Sequence, residues 1–86
     1  MQDDRRIGFI GIVMSNRSAA NEVNTTLGHY AHIIKARIGV PDQESAAAVI
    51  GLIVEGNNLE LGALTAKLGN LPMVEVKSAL VRKRDP

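Results

Sequence analysis

Leu61, Leu64, Leu68 and Leu71 recur three or four residues apart while Glu60, Lys67 and Asn70 fall on the other side, the pattern of a helix that buries one wall. Asn57 followed three residues later by Glu60 predicts a capping box at its start. Pro72 cannot continue the helix and biases Leu71 away from helical geometry. From Met73 the period changes to two: Val74, Val76, Ser78 and Leu80 alternate with Glu75, Lys77 and Ala79, which predicts a strand with one apolar face. Two other runs, Arg6 to Met14 (RIGFIGIVM) and Ala46 to Val54, are apolar on both parities and read as central strands covered on both sides. Gly8 and Gly11 inside the first of them mark a bulge, a close approach by another backbone or a ligand, or, as the favoured reading, close packing under a helix.

Between these runs, Ala19 to Ala31 places Ala20, Val23, Leu27 and Tyr30 on one face and predicts the first helix, with Asn16 or Ser18 as its cap. His32 to Val40 alternates, Ile34, Ala36 and Ile38 against Ile33, Lys35 and Arg37, as a half-wet edge strand does. Gly39, Val40, Pro41 and Asp42 supply turn chemistry and lead through Gln43 to Ser45 into the next strand. Gly62, Thr65 and Gly69 form a strip of small residues, read as close packing of the last helix on a sheet.

The order strand, helix, strand, strand, helix, strand predicts an α+β, ferredoxin-like βαββαβ sandwich. Its four-stranded antiparallel sheet has the first and third strands inside and two helices on one face. The other face should then carry a bare apolar stripe rimmed by Lys35, Arg37, Glu75 and Lys77. Covering it would stabilise the molecule, so a homo-oligomer, dimer or tetramer, through the sheet face or edges is expected.

Eighty-six residues fit one domain spanning 1–86. The absence of cysteine excludes disulfides and thiolate metal sites and fits a reducing cytoplasm. No apolar run approaches the roughly 20 residues of a membrane helix, and Gln2, Asp3 and Asp4 ahead of Arg5 and Arg6 do not read as a secretion signal. A net charge of +1 sets up no global pull toward nucleic acid or membrane, and Phe9 and Tyr30 are too few aromatics for a base-stacking platform. Neither an activated nucleophile nor a pair of buried carboxylates can be assembled, so no enzyme is expected.

The stretches GALTAKLGNLPMVEVKSAL (62–80), RIGVP (37–41) and VNTTLGHYAHII (23–34) resemble the small proteins grouped as iron-only hydrogenase system regulators. That resemblance implies an ACT-like domain related to the C-terminal domain of nickel-responsive repressors, oligomers built through sheets, sensing of a small molecule, and control of hydrogenase expression or maturation. The histidine and cysteine ligands of the nickel-responsive relatives are not matched here, where only His29 and His32 occur, so no metal site and no cofactor are expected. The DNA-binding domain that precedes the module in those relatives is not matched either, and nucleic-acid binding is not expected to be the main role.

By the same resemblance the effector site falls at the loop Ser15, Asn16, Arg17 and Ser18, which offers hydroxyl, amide and guanidinium groups beside a helix N-terminus. The plain alternative is a helix cap with a solvated arginine. Arg37, expected on the open face beside the stiff turn of Gly39 and Pro41, is a second candidate for holding an anion or a partner's carboxylate. Antiparallel pairing of the first and last strands should gather Arg5, Arg6, Arg82, Lys83 and Arg84 into a basic cluster diluted by Asp3, Asp4 and Asp85. That cluster is either a polyanion site or a solubilising fringe. A protein-interaction or weak nucleic-acid-binding subunit that regulates without a ligand is the alternative function.

Overall fold

The structure, a computed structural model, describes residues 4–84. Asp3 and Asp85, expected to dilute the terminal charge, lie outside the described residues. Strands β1 (Arg5–Met14), β2 (Ile34–Pro41), β3 (Ala48–Asn57) and β4 (Val74–Arg82) form one antiparallel sheet in the order β2-β3-β1-β4. Helix α1 (Ala20–His29) connects β1 to β2, and α2 (Asn58–Gly69) connects β3 to β4. The two runs that are apolar on both parities thus become the central strands, and the fold is the ferredoxin-like sandwich.

The core lies between the sheet and the helices. Ile10, Ile12 and Met14 of β1 and Ile50, Leu52 and Val54 of β3 meet Val23 and Leu27 of α1 and Leu61, Leu64 and Leu68 of α2, all buried. The α2 capping box forms as predicted: Glu60 N–H donates to Asn57 Oδ1 at 2.7 Å, and Asn57 N–H reaches Glu60 Oε1 at 3.4 Å. The first helix is prefaced by a 3-10 turn, Arg17–Ala19, whose cap is Asn16.

Several expectations are corrected. A bulge between Ile34 and Ala36 shifts the β2 register by one residue, so Ile34 pairs with core-facing Val54 while Ala36 pairs with outward-facing Ile53. Beyond the bulge Ala36, Ile38 and Val40 therefore lie on the open face, separated from Ile34. Arg37, opposite core-facing Leu52, is on the helix side rather than the open face. The strand itself begins two residues later than predicted, with His32 inside a 3-10 turn, Ala31–Ile33, that follows α1.

Gly39 and Pro41 are not turn residues: they pair with Ile50 and Ala48 inside β2, and no glycine in the described chain has positive φ. The positive φ belongs to Met73, at 64°, where the chain enters β4 after Pro72. Gly8 makes room for the backbone of β4 rather than for a helix, because a Cβ there would meet the Ala79 carbonyl oxygen. Gly11 and Gly51 both lie under the edge of the Phe9 ring, 3.0 Å from where their Cβ atoms would be. Gly62 and Gly69 face open space, so the small-residue strip of α2 does not mediate close packing.

The face away from the helices is uncovered among the described residues. Ile7, Phe9 and Val13 of β1, Val49 and Ile53 of β3, Ile38 and Val40 of β2, and Val81 of β4 are all exposed on it. The apolar stripe inferred from strand parity exists, with Glu75 and Lys77 at its β4 margin.

Candidate functional site

The polar loop after β1 closes on the protein's own backbone. Asn16 Oδ1 accepts from Ser18 N–H at 2.8 Å, capping the 3-10 turn. Arg17 Nη1 donates to the carbonyls of Asp42, Ser45 and Ala47, each at 3.3 Å, and Arg17 N–H donates to the Ala46 carbonyl at 2.7 Å. The guanidinium thus holds the Asp42–Ala47 connection between β2 and β3. Within that connection Ser45 Oγ donates to Asp42 Oδ2 at 2.6 Å, which holds the Asp42 carboxyl below its ordinary value. Ser15 turns the other way: its N–H donates to the Met73 carbonyl at 2.9 Å, and it lines a shallow cleft with Val13, Met73, Val74 and Glu75.

Arg37 lies elsewhere. Its Nη2 donates to Asn24 Oδ1 at 2.9 Å across the gap between α1 and β2. This pair and Lys35 rim a cleft of about 340 Å³ whose wall is made by Leu27, Gly28, Ala31 and Ile34. Ser15 and Arg37 therefore serve two separate clefts, and the five loop and strand candidates do not form one site. Asn24 and Lys35 were missed at the sequence level because an i,i+3 pattern does not say which polar position of a helix overlooks a neighbouring strand edge; the bulge at Lys35 is what brings them together.

At the opposite end the β1–β4 register does gather the basic residues, with Arg6 opposite Arg82 and Lys83 N–H donating to the Arg5 carbonyl at 2.8 Å. Two carboxylates face three of these five cations. Lys83 Nζ lies 2.6 Å and Arg5 Nη2 3.3 Å from Glu55 Oε2, and Arg6 Nη2 lies 3.1 Å from Asp4 Oδ1. Arg82 and Arg84 make no ion pair among the described residues. The hydrogen bond from Lys83, with its charge and then Arg5 adding to it, holds the Glu55 carboxyl below its ordinary value.

His32 Nε2 is hydrogen-bonded to Glu60 Oε2 at 2.7 Å, and that contact, ahead of the Asn57 N–H, lowers the Glu60 pKa. His29 ends α1 without joining it, and among the described residues no group of three or more His, Cys, Asp or Glu is placed to hold a metal ion. No helix among them is long and apolar enough to cross a membrane.

A carboxylate with a lowered folded pKa contributes stability that is fully present above its unfolded pKa and is lost as pH falls through the folded one. Glu55 makes this testable. In wild type, stability should fall as pH drops below about 4.5, the ordinary glutamate value. Lys83→Met should be the less stable protein at pH 6, with the gap narrowing as pH falls below about 4.5. Urea midpoints at several pH values measure it, and a gap that does not narrow on acidification would contradict the assignment.

Residues 6–78 match the TM1266-like family, described as "Iron-only hydrogenase system regulator, putative". The chain belongs to this family. It is similar to the uncharacterized protein TM1266 from Thermotoga maritima, with 32% identity over 91% of this chain and 99% of that one and a TM-score of 0.84. The ACT domain of a GTP pyrophosphokinase from Chlorobium tepidum shares the fold at 16% identity, covering 90% of this chain and 89% of that domain, with a TM-score of 0.68. The PII-like protein CPII from Thiomonas intermedia does so at 12% identity, covering 94% and 95% of the two chains, with a TM-score of 0.58. No curated protein matches. In this TM1266-like chain the matched span takes in the whole α1–β2 cleft and the Arg17 clamp, whereas Arg82, Lys83 and Arg84 lie beyond it.

Proposed function

We propose that this chain is a one-domain, cytoplasmic regulatory module of an iron-only hydrogenase system that responds to a small anionic ligand in the cleft between α1 and β2. The observation that carries the reading is the Arg37–Asn24 pair, which presents a guanidinium, with Lys35 beside it, above an apolar wall of Leu27, Ala31 and Ile34. A guanidinium with free donors grips a carboxylate or phosphate in a fixed orientation, and the wall takes a short aliphatic part. The family description supports a regulatory rather than a catalytic role. Arg17 suits the ligand less well, because its Nη1 is already bonded to three carbonyls. The terminal basic cluster suits a polyanion less well, because Glu55 and Asp4 already face three of its cations.

A thermal-shift screen of amino acids, small dicarboxylates and nucleotides tests the proposal. A ligand present at 100 times its Kd stabilises the native state by about 2.7 kcal/mol, a rise in Tm of roughly 15 °C for a chain this size. Arg37→Ala should abolish that rise while leaving the ligand-free Tm nearly unchanged, since Arg37 is exposed. A flat screen, or a rise that survives Arg37→Ala, counts against the cleft. A flat screen together with capture of a protein partner favours regulation without a ligand.

A further inference from the structure

Ile34, Lys35 and Arg37 all line the cleft between α1 and β2. In a regular strand Ile34 and Arg37 would point to opposite faces, because side chains alternate. The bulge removes the conflict: Ile34 pairs with Val54 and Arg37 with Leu52, both core-facing, while the inserted residue, Lys35, turns to the same side. A guanidinium and an ammonium, two positions apart on one strand, are thereby set over a single apolar wall.

The polar side chains of this lining are donors. Arg37 Nη2 donates to Asn24 Oδ1 at 2.9 Å, which occupies the acceptor of that amide and leaves its N–H groups to donate. Among the described residues that line the cleft, Arg37 and Lys35 carry all the side-chain charge. No carboxylate side chain is there to receive an ammonium, and no aromatic ring to stack on a nucleobase. Taking this cleft as the ligand site, as proposed above, we infer that its ligand is a short aliphatic dicarboxylate, with one carboxylate on the Arg37 fork and the other on the Lys35 ammonium.

Positions two apart on a strand lie roughly 6–7 Å from one another, a span that a diacid of about four to six carbons bridges with its methylenes on Leu27, Ala31 and Ile34. The volume of about 340 Å³ gives it room. Gly28 keeps that room free, since a Cβ there would meet nothing within 4 Å. The two cations divide the work: a guanidinium fixes the plane of a carboxylate, and an ammonium adds a point charge that rewards a second one. An amino acid would bring its own ammonium up to Lys35 or Arg37, and inorganic phosphate would leave the apolar wall unused.

Calorimetric titration of the chain with glutarate, valerate, glutamate and inorganic phosphate at low ionic strength tests this. Glutarate should bind about fivefold more tightly than valerate, the single-carboxylate chain of the same length, and more tightly than glutamate or phosphate. Lys35→Met should bring glutarate down to the level of valerate and leave valerate unchanged, whereas Arg37→Ala should remove both. Gly28→Leu, which fills the cleft, should also remove both and so set the cleft apart from loose ion pairing at the surface. All three positions are exposed, and the variants should keep the wild-type far-UV circular dichroism. Valerate binding as tightly as glutarate, with both lost in Arg37→Ala, would overturn the dicarboxylate and leave the cleft standing as an anion site. Glutarate binding that survives Lys35→Met or Gly28→Leu, or tighter binding of glutamate or phosphate, would overturn it as well. Binding of none of the four would overturn the dicarboxylate, and the thermal-shift screen then decides whether the cleft falls with it.

Discussion

Leu64→Ala should lower the unfolding free energy by about 3 kcal/mol, a third or more of the stability typical for a chain of this size. Leu64 is completely buried midway along α2, between Leu61 and Leu68, which are equally buried. Truncation there removes apolar contact and leaves a cavity. A helix fixed at its start by a capping box and at its end by the Leu71–Pro72 exit has little freedom to sink into that space. Leu59 sits five residues earlier on the same helix but is 82% exposed, and Leu59→Ala should change stability by less than about 0.5 kcal/mol. Denaturant midpoints of both variants at one protein concentration make the comparison. Equal effects would mean that α2 does not pack by its leucine face, and the two-layer architecture would lose its main support.

How the fold could be read from residues, and where that reading stopped, follows from the range of the interactions involved. The central strands announced themselves because burial on both faces leaves no polar parity, and α2 because its cap and its leucine spacing are both local. The failures share a different cause. One inserted residue at the bulge near Lys35 reverses the parity of everything after it, which moved Arg37 from the open face to the helix side and carried Ile38 and Val40 the other way. No local pattern encodes such a slip in an edge strand. Arg17 looked like a free cation because the carbonyls it serves lie 25 to 30 residues further along the chain. Asn24 and Arg37, 13 residues apart on different elements, met only when α1 was laid against the sheet. The bare face, by contrast, needed only strand order and helix count, and it was predictable without any side-chain detail.

Glycines that look alike in the sequence should respond in opposite directions to a single added methyl. At Gly8, on the helix side of β1, a Cβ would overlap the Ala79 carbonyl oxygen and lie 2.9 Å from Leu80 Cα, so the obstacle is the main chain of β4. Backbone paired along nine successive positions cannot step aside as a rotamer can. Gly8→Ala should therefore sit at the upper end of overpacking costs, about 3 kcal/mol. Gly11→Ala meets only the edge of the Phe9 ring at 3.0 Å, and that ring is 45% exposed and able to swing outward, so the loss should be about 1 kcal/mol. Gly62→Ala finds nothing within 4 Å in an exposed helix position and should stabilise by roughly 0.5–1 kcal/mol through helix propensity. Melting temperatures ordered Gly62→Ala above wild type, then Gly11→Ala, then Gly8→Ala are the expected result. A Gly8→Ala protein as stable as wild type would mean that β4 does not cross that closely over β1.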